Sequence, residues 1–232
     1  MSFSQRSAER EYLDENVIQV ADLYRNLDEL DTINKQLGGY RASLKGLKSI
    51  LKSSSSLRTI LDIGFGGGHT IEQFSRYAER NKHSLFLYGV DIKKDCLIYA
   101  EKNLISLHNI RLICSDVRDL SEEFLQQIHI IHCSLFLHHL SDDEIVALLK
   151  FCKINNCIVL VNDLHRNWLA YYSIKILTAL FSRSKLVKHD APLSVKRGFK
   201  REELILLFEN AGFQNVSVQW TWAFRYIVIA KP

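Results

Sequence analysis

The chain has 232 residues, of which 47% are hydrophobic and 24% are charged, and its formal net charge at pH 7 is +4. This length suits one complete α/β domain with a sizeable core and a small additional segment. The basic residues are scattered, which argues against nucleic-acid binding because such sites concentrate positive charge in a patch. No apolar run approaches the roughly 20 residues that span a membrane, and the N-terminus lacks the apolar stretch of a signal peptide. We therefore expect a cytoplasmic protein with no membrane span and no nucleic-acid partner.

The five cysteines are odd in number and include no C-x-x-C pair. Several lie in apolar runs, where cysteine behaves as a small core residue. This usage indicates a reducing compartment with neither a disulfide framework nor a zinc site. The sequence therefore predicts no metal site.

The first part of the chain, residues 1–52, is interpreted as an N-terminal arm and helical cap. Residues 1–16 are polar and resemble a loosely held arm. Apolar residues then recur at helical spacing from Val17 to Leu30 and again from Leu44 to Leu51. The serine run from Ser53 to Ser56 predicts a linker before the first strand.

Strands and helices alternate through the remaining residues, 57–232, which we expect to form one domain. Alternation of this kind predicts a doubly wound sheet. The last two strands follow each other with almost no gap, so they must form an antiparallel hairpin. The predicted fold class is therefore α/β, with a doubly wound, seven-stranded, mostly parallel sheet that ends in an antiparallel hairpin. The predicted strands are Leu57–Ile63, Ser84–Asp91, Asn109–Ser115, Ile128–Ser134, Asn156–Asn162, Val216–Trp222 and Phe224–Ala230.

One predicted helix carries a clear start signal. Ser141 and Glu144 have the spacing of a capping box at the beginning of a helix expected from Asp142 to Phe151.

The most informative motif is the D-x-G-x-G-x-G stretch from Asp62 to Gly68, between an apolar strand and a helix-like run. Glycines serve there because no Cβ blocks a ligand and because they accept positive φ. The dinucleotide fingerprint G-x-G-x-x-G would place its last glycine at position 69, which is a histidine here. A carboxylate directly before the turn suits a ligand with a positive amino group better than it suits a pyrophosphate.

Acidic residues follow the next two predicted strands. Asp91 ends the second strand, and Asp116 with the adjacent Val117 follows the third. A carboxylate can accept hydrogen bonds from both hydroxyls of a ribose. Asp116 could bind an adenine amino group while Val117 covers the ring. Because strand ends of an open α/β sheet meet at one edge, these residues predict an adenosyl-ligand site there.

These motifs resemble those of the class I S-adenosylmethionine-dependent methyltransferases over about residues 57–230. The resemblance implies a Rossmann-like fold, S-adenosylmethionine as the cofactor and a small-molecule methyl acceptor. A narrower resemblance, carried by Leu37–Gly39 and by Val161–Leu177, is to bacterial methyltransferases of aromatic or polyketide-type acceptors. The cofactor-binding residues implied by the resemblance are Asp62, Gly64, Phe65, Gly66, Asp91, Ile92, Asp116, Val117 and Cys133.

The acceptor site is predicted beyond the fifth strand. A polar cluster there precedes a helix that is apolar nearly all round, which is typical of a buried helix or a pocket lid. We interpret residues 164–199 as a helical lid insertion, with a loop from Lys188 to Ser194. Removal of a hydroxyl proton near neutral pH suits histidine.

The first candidate for this base is His165, with Asp163 orienting either the base or the substrate. His139, in the tandem pair that precedes the helix from Asp142, is the second candidate.

Several alternatives stay open from the sequence. One is an NAD(P)-dependent oxidoreductase. Another is a non-catalytic adenosyl-ligand-binding or membrane-surface protein, because basic residues at 183, 185 and 188 follow the apolar helix. O-methylation is favoured over N- or C-methylation. The identity of the acceptor and the oligomeric state stay undetermined, with a homodimer as one option.

Overall fold

A computed structural model describes residues 3–15, 18–52 and 58–232. The predicted serine linker and the start of the predicted first strand at Leu57 lie outside these residues. The described residues form a seven-stranded sheet with helices on both faces. Its strands are β1 (Arg58–Ile63), β2 (Leu85–Asp91), β3 (Ile110–Cys114), β4 (Ile130–Ser134), β5 (Ile158–Leu164), β6 (Asn215–Thr221) and β7 (Arg225–Lys231).

The strand order is β3-β2-β1-β4-β5-β7-β6. Strands β1 to β5 pair in parallel, and β7 pairs antiparallel with both β5 and β6. The predicted fold class is confirmed. From β1 the chain adds β2 and β3 on one side, and it then returns to add β4 and β5 on the other side, so the strand order reverses between β1 and β4. Ligands of open α/β sheets bind at the carboxyl ends of the strands beside such a reversal.

The helices bury apolar faces against both sides of the sheet. The helices are α1 (Val20–Gln36), α2 (Gly39–Leu51), α3 (His69–Asn81), α4 (Lys94–Leu104), α5 (Glu122–Leu125), α6 (Asp142–Ile154), α7 (Trp168–Phe181), α8 (Lys185–Arg197) and α9 (Arg201–Asn210). One core lies between the sheet and α2, α3 and α4, and the other lies between the sheet and α6 and α9. None of the helices in the described ranges is both long and apolar enough to cross a bilayer.

Helix α2, which belongs to the predicted N-terminal cap, packs on one face of the sheet and forms part of the core there. Leu47, Ile50 and Leu51 of α2 are buried against the sheet. Gly46 allows the close approach, because a Cβ at this position would lie 2.4 Å from Cδ1 of Leu160 in β5. Removal of α2 would therefore expose one face of the sheet. The domain division at residue 52 stays a prediction.

The N-terminal arm, residues 3–15, is held by side chains from the far end of the chain. The buried guanidinium of Arg166 donates to the carbonyls of Phe3 and Ser4, at 3.0 Å in both cases. The Asp190 carboxylate accepts from the amides of Tyr12 and Leu13, both at 2.9 Å. The expectation of a loosely held arm is wrong for these residues, because side chains of α8 and of the segment after β5 fix them.

The predicted lid contains two helices, α7 and α8. The loop expected from Lys188 to Ser194 is wrong, because these residues lie inside α8 and Pro192 is accommodated within it. Ser184 caps this helix by accepting from the amide of Val187 at 3.2 Å. Burial of apolar residues of α8 against α7 and α1 outweighs the hydrogen bond that a proline cannot donate.

Candidate active site

The glycine turn after β1 leaves one stretch of backbone open. Gly64, Gly66 and Gly68 have φ angles of 70°, 53° and 75°, a region that glycine enters without a Cβ penalty. A Cβ built on Gly66 would have only Cδ2 of Leu27 within 4 Å, at 3.6 Å. The turn therefore leaves an open space above Gly66 that a side chain would fill. This space lies at the carboxyl edge of the sheet, where ligands bind in open α/β folds.

Asp91 is joined directly to this turn. Its Oδ2 accepts from the amide of Gly66 at 3.0 Å, and its Oδ1 accepts from the amide of Lys93 at 2.9 Å. Burial raises the pKa of Asp91, and these two amides oppose that effect. Two amide partners leave lone pairs on a carboxylate, so Asp91 can still accept ribose hydroxyls.

Asp62 belongs to a buried polar network. Its Oδ1 lies 2.6 Å from Nδ1 of His132 in β4, and Nε2 of that histidine lies 3.1 Å from the Ser43 hydroxyl of α2. The same hydroxyl accepts from Nδ2 of Asn162 at 2.9 Å. This network ties α2 to three central strands directly beneath the glycine turn. The predicted contact of Asp62 with a positive amino group stays a prediction.

Asp116 is occupied by its neighbour Arg118. One carboxylate oxygen accepts from the Arg118 amide at 2.9 Å, and the other pairs with its guanidinium at 2.5 Å. The side-chain hydrogen bond from Arg118 lowers the pKa of Asp116. Val117 is partly buried against the core of the other sheet face. An adenine contact at Asp116 would have to share this carboxylate with Arg118.

The remaining predicted cofactor residues have different surroundings. Phe65 and Cys133 are buried in the two cores, so they shape the site from beneath. Ile92 is 68% exposed at the edge beyond Asp91. An exposed aliphatic side chain beside a strand-end carboxylate is free to cover an apolar ring of a ligand.

A cavity of about 370 Å³ opens at the carboxyl ends of β4 and β5. Its walls come from the N-terminal arm, α1, the segment after β4, α7, α8 and the β6–β7 connection. Most of its lining side chains are apolar, as in many small-molecule sites. The apolar residues that line it are Leu13, Leu30, Ile33, Leu37, Leu135, Leu164, Ala170, Ile174, Leu177, Val187, Ala191, Val195, Trp222, Ala223 and Phe224.

A polar cluster forms one part of the cavity wall. Nδ1 of His138 lies 2.7 Å from Oδ1 of Asp163, and both side chains are buried. Nδ1 of His139 lies 2.8 Å from Oδ1 of Asp14. The other ring nitrogens face Glu11, with His138 Nε2 at 3.7 Å from Oε1 and His139 Nε2 at 3.9 Å from Oε2. We call Glu11, His138 and His139 the arm cluster, since Glu11 comes from the N-terminal arm.

The pKa values of the acidic groups of this wall are shifted in different directions, because burial raises them and neighbouring charges and hydrogen bonds lower them. Burial raises the pKa of Glu11 from its ordinary value of 4.5 to about 7, against the opposing charge of His139. Burial also raises the pKa of Asp163, but the charge and hydrogen bond of His138 outweigh it and the net shift is downward. The pKa of Asp14 is likewise lowered, because His139 and Arg197 outweigh its burial.

His165, the first sequence candidate for the base, lies elsewhere. Its backbone amide donates to the Phe224 carbonyl at 2.8 Å, and its ring centroid is 5.0 Å from that of Tyr226. Burial lowers its pKa. It is not among the residues that line the cavity, whereas His139 is. The base role of His165 stays a prediction.

Sequence reasoning missed Glu11 and Arg225 at the cavity. Arg225 is only 3% exposed, and its Nη2 donates to Oδ1 of Asn34 at 2.9 Å. Within the described part of the chain its Nε and Nη1 have no hydrogen-bond partner. Burial lowers its pKa to about 10. The one sequence signal for this wall is Arg225, a charged residue at the start of the mostly apolar last strand.

Comparison with known proteins agrees with this architecture. A family model described as a methyltransferase domain matches residues 60–154. Comparison with curated proteins gives no significant sequence match. The match is to methyltransferases, so the alternative of an NAD(P)-dependent oxidoreductase is not supported.

Three solved structures show the likeness in fold. A SAM-dependent methyltransferase from Aquifex aeolicus is 17% identical, with a TM-score of 0.61 and coverage of 92% of this chain and 98% of that chain. The plantazolicin methyltransferase BpumL in complex with SAH is 13% identical, with a TM-score of 0.64 and coverage of 90% and 95%. The CMeT domain of the citrinin polyketide synthase is 11% identical, with a TM-score of 0.57 and coverage of 77% and 47%, so this chain spans less than half of that structure.

The open turn at Gly66 and the partly buried carboxylate of Asp91 fit the adenosyl cofactor of this fold. Gly64 and Gly66 would lie against it, and Asp91 would accept from its ribose. Residues 60–154 match a methyltransferase domain, and the fold is the one that S-adenosylmethionine-dependent methyltransferases share, which supports methyl transfer with S-adenosylmethionine as the cofactor.

Proposed function

We propose that the protein transfers a methyl group to an oxygen of a small aromatic or polyketide-like acceptor bound in the cavity. The observation that carries this proposal is the position of the cavity. It opens at the carboxyl ends of β4 and β5, beside the cofactor edge, and its apolar walls surround a few convergent polar groups. Such walls suit an uncharged ring system.

The bound cofactor supplies a methyl group already activated on a sulfonium. The protein therefore has two tasks, to orient the acceptor and to receive its proton. Orientation alone can supply roughly 7–11 kcal/mol of barrier reduction. The cavity walls from α1, α7 and α8 perform this task by excluding water and restricting the pose of the acceptor.

The proton of the acceptor is received at the arm cluster. The carboxylate of Asp163 accepts from Nδ1–H of His138, which fixes the ring and leaves Nε2 with a free lone pair. A base of this kind contributes roughly 10²–10⁴-fold to the rate. His138 thus takes the role for which the sequence favoured His165, and Asp163 keeps its orienting role.

The unpaired donors of Arg225 favour an acceptor with a carbonyl or carboxylate oxygen. A buried guanidinium with free N–H groups gains most from an oxygen that hydrogen-bonds to both. Polyketide-type molecules carry such oxygens next to phenolic hydroxyls. The likeness to a structure named as a domain of the citrinin polyketide synthase is consistent with this class.

The experiment is a methyl-transfer assay with a panel of phenols, phenolic acids and polyketide-type aromatics. Product mass would give the number of methyl groups, and NMR would identify the methylated atom. Transfer to a phenolic oxygen supports the proposal. Transfer only to nitrogen or carbon, or to peptides alone, would contradict it.

Membrane-surface binding is a second candidate property, favoured by one observation. An exposed apolar face of α7 includes Trp168, Tyr172, Ile176 and Leu180, which recur at helical spacing. Such a face beside Arg183 can lie on an anionic bilayer. Sedimentation with anionic and neutral vesicles tests this, and absence of co-sedimentation with both would exclude it.

A further inference from the structure

We propose that the arm cluster is a binding site for a divalent first-row metal ion, with Glu11, His138 and His139 as the protein ligands. One ligand atom of each residue lies within 4.8 Å of the others, and no other group of this kind is found in the described ranges. Two imidazoles and one carboxylate are donors that zinc and iron(II) accept at sites with open positions.

The distances favour an ion over direct hydrogen bonds. The Nε2 atoms of His138 and His139 lie 3.7 and 3.9 Å from the oxygens of Glu11. These separations exceed the range of a hydrogen bond. Ligand atoms that share one ion at about 2.1 Å are separated by similar distances. The three side chains therefore point toward one another without forming direct hydrogen bonds.

The partners of the two histidines orient their free nitrogens toward Glu11. Asp163 lies 2.7 Å from Nδ1 of His138, and Asp14 lies 2.8 Å from Nδ1 of His139. A carboxylate on the far nitrogen fixes the ring and leaves Nε2 as the metal donor. The Ser194 hydroxyl similarly donates to Oε1 of Glu11 at 2.9 Å. Each of the three ligands therefore has an outer partner that holds it.

The local charge also favours a cation. Four carboxylates surround the cluster, from Glu11, Asp14, Asp163 and Asp190. The guanidinium of Arg197 lies 3.9 Å from Glu11, and it donates to the carbonyls of Glu9, His138 and His139. Two further guanidiniums lie near the cluster, since Arg6 donates to the His138 carbonyl at 3.3 Å and Arg225 lines the cavity and interacts with Asp163. Four carboxylates still face only three guanidiniums.

The cavity gives the ion an open side, because all three ligands line it. This role of the ion rests on the proposed function. An acceptor oxygen bound there would lose its proton more readily, since metal ions lower the pKa of bound hydroxyl groups. His138 would then act as a ligand in place of its role as base, and the proton released from the acceptor would pass to water at the open side of the cavity.

The test measures metal binding with neither cofactor nor acceptor present, so it is independent of methyl transfer. Chelator-treated full-length protein is titrated with Zn²⁺ in a calorimeter and with Co²⁺ by visible absorption. We expect one ion per chain. The variants E11Q, H138Q and H139Q should abolish the high-affinity site, and D14N should weaken it by roughly 10–100-fold. H108Q alters an exposed histidine and should bind as the parent does.

Circular dichroism separates loss of the site from loss of the fold. If E11Q or H138Q is unfolded, H139Q and D14N decide the question, because their side chains are partly exposed. The proposal is overturned if the folded parent protein binds neither Zn²⁺ nor Co²⁺, or if these variants bind the ions as tightly as the parent. A site that binds metal in a protein without methyl-transfer activity would leave this proposal standing and remove the proposed function.

Discussion

Oδ2 of Asp91 and the amide of Gly66 are joined by a 3.0 Å hydrogen bond that ties the end of β2 to the glycine turn after β1. The two strands are neighbours in the sheet, so a residue 25 positions away fixes the conformation of the turn. The contact places the Asp91 carboxylate beside the open backbone at Gly66. The carboxylate and the glycine backbone would therefore bind the same ligand.

The first prediction concerns Gly66. Gly66→Val should lose most binding of S-adenosylhomocysteine, because the new side chain would occupy the open space above the turn. Gly38→Val is a matched control, since Gly38 also has positive φ, at 75°, and only the Trp222 carbonyl within 4 Å, at 3.6 Å. Both variants carry similar backbone strain. Calorimetry should show lost binding only in the first; equal binding in both would remove Gly66 from the site.

Asp91→Ala should weaken S-adenosylhomocysteine binding by about 1.5–3 kcal/mol, the range for hydrogen bonds to charged groups. The variant should stay folded, since its amide partners lie at the sheet edge. Asp119→Ala, at an exposed position, should bind as the parent does. An unfolded Asp91→Ala variant, or one with parental affinity, would mean that Asp91 is structural.

The identity of the base is tested by comparing two histidines. His138→Gln should lower turnover by roughly 10²-fold or more, because this ring lines the cavity and is oriented by Asp163. His165→Gln should retain most turnover, because that ring packs near Tyr226. Rates are measured at saturating cofactor. Loss of turnover in His165→Gln alone would restore the assignment made from the sequence.

Acid stability should depend on Glu203. Burial raises the pKa of Glu203, but its hydrogen bonds to Arg166, at 2.5 and 2.9 Å, hold it below its usual value. A depressed folded-state pKa stabilises the fold above the unfolded-state pKa, and this contribution is lost as the pH falls through the folded-state value. Glu203→Gln should therefore flatten the decline in stability below about pH 4.5. Urea unfolding at several pH values measures the slope, and an unchanged slope would show that the pair contributes nothing.

Much of the fold follows from local patterns, and the arm cluster does not. Alternating apolar runs and the short gap before Arg225 predict the sheet and its hairpin. The capping box of Ser141 and Glu144 is also present as predicted. Asp14 and His139, in contrast, meet across 125 positions of sequence. No periodicity or motif connects such residues, because tertiary packing alone brings them together.

The last prediction concerns Asp190, which holds the arm over the cavity. Its carboxylate accepts from the amides of Tyr12 and Leu13, directly after Glu11. Asp190→Ala would leave both amides without this partner, at a cost of roughly 1–3 kcal/mol for each one that stays buried. The arm should therefore detach and carry Glu11 away from His138 and His139. Acceptor methylation should fall strongly, while S-adenosylhomocysteine binding at Gly66 and Asp91, which the arm does not form, stays close to the parental value. Hydrogen exchange should show faster exchange confined to the arm. If the arm stays protected and turnover is unchanged, Asp190 does not hold the arm in place.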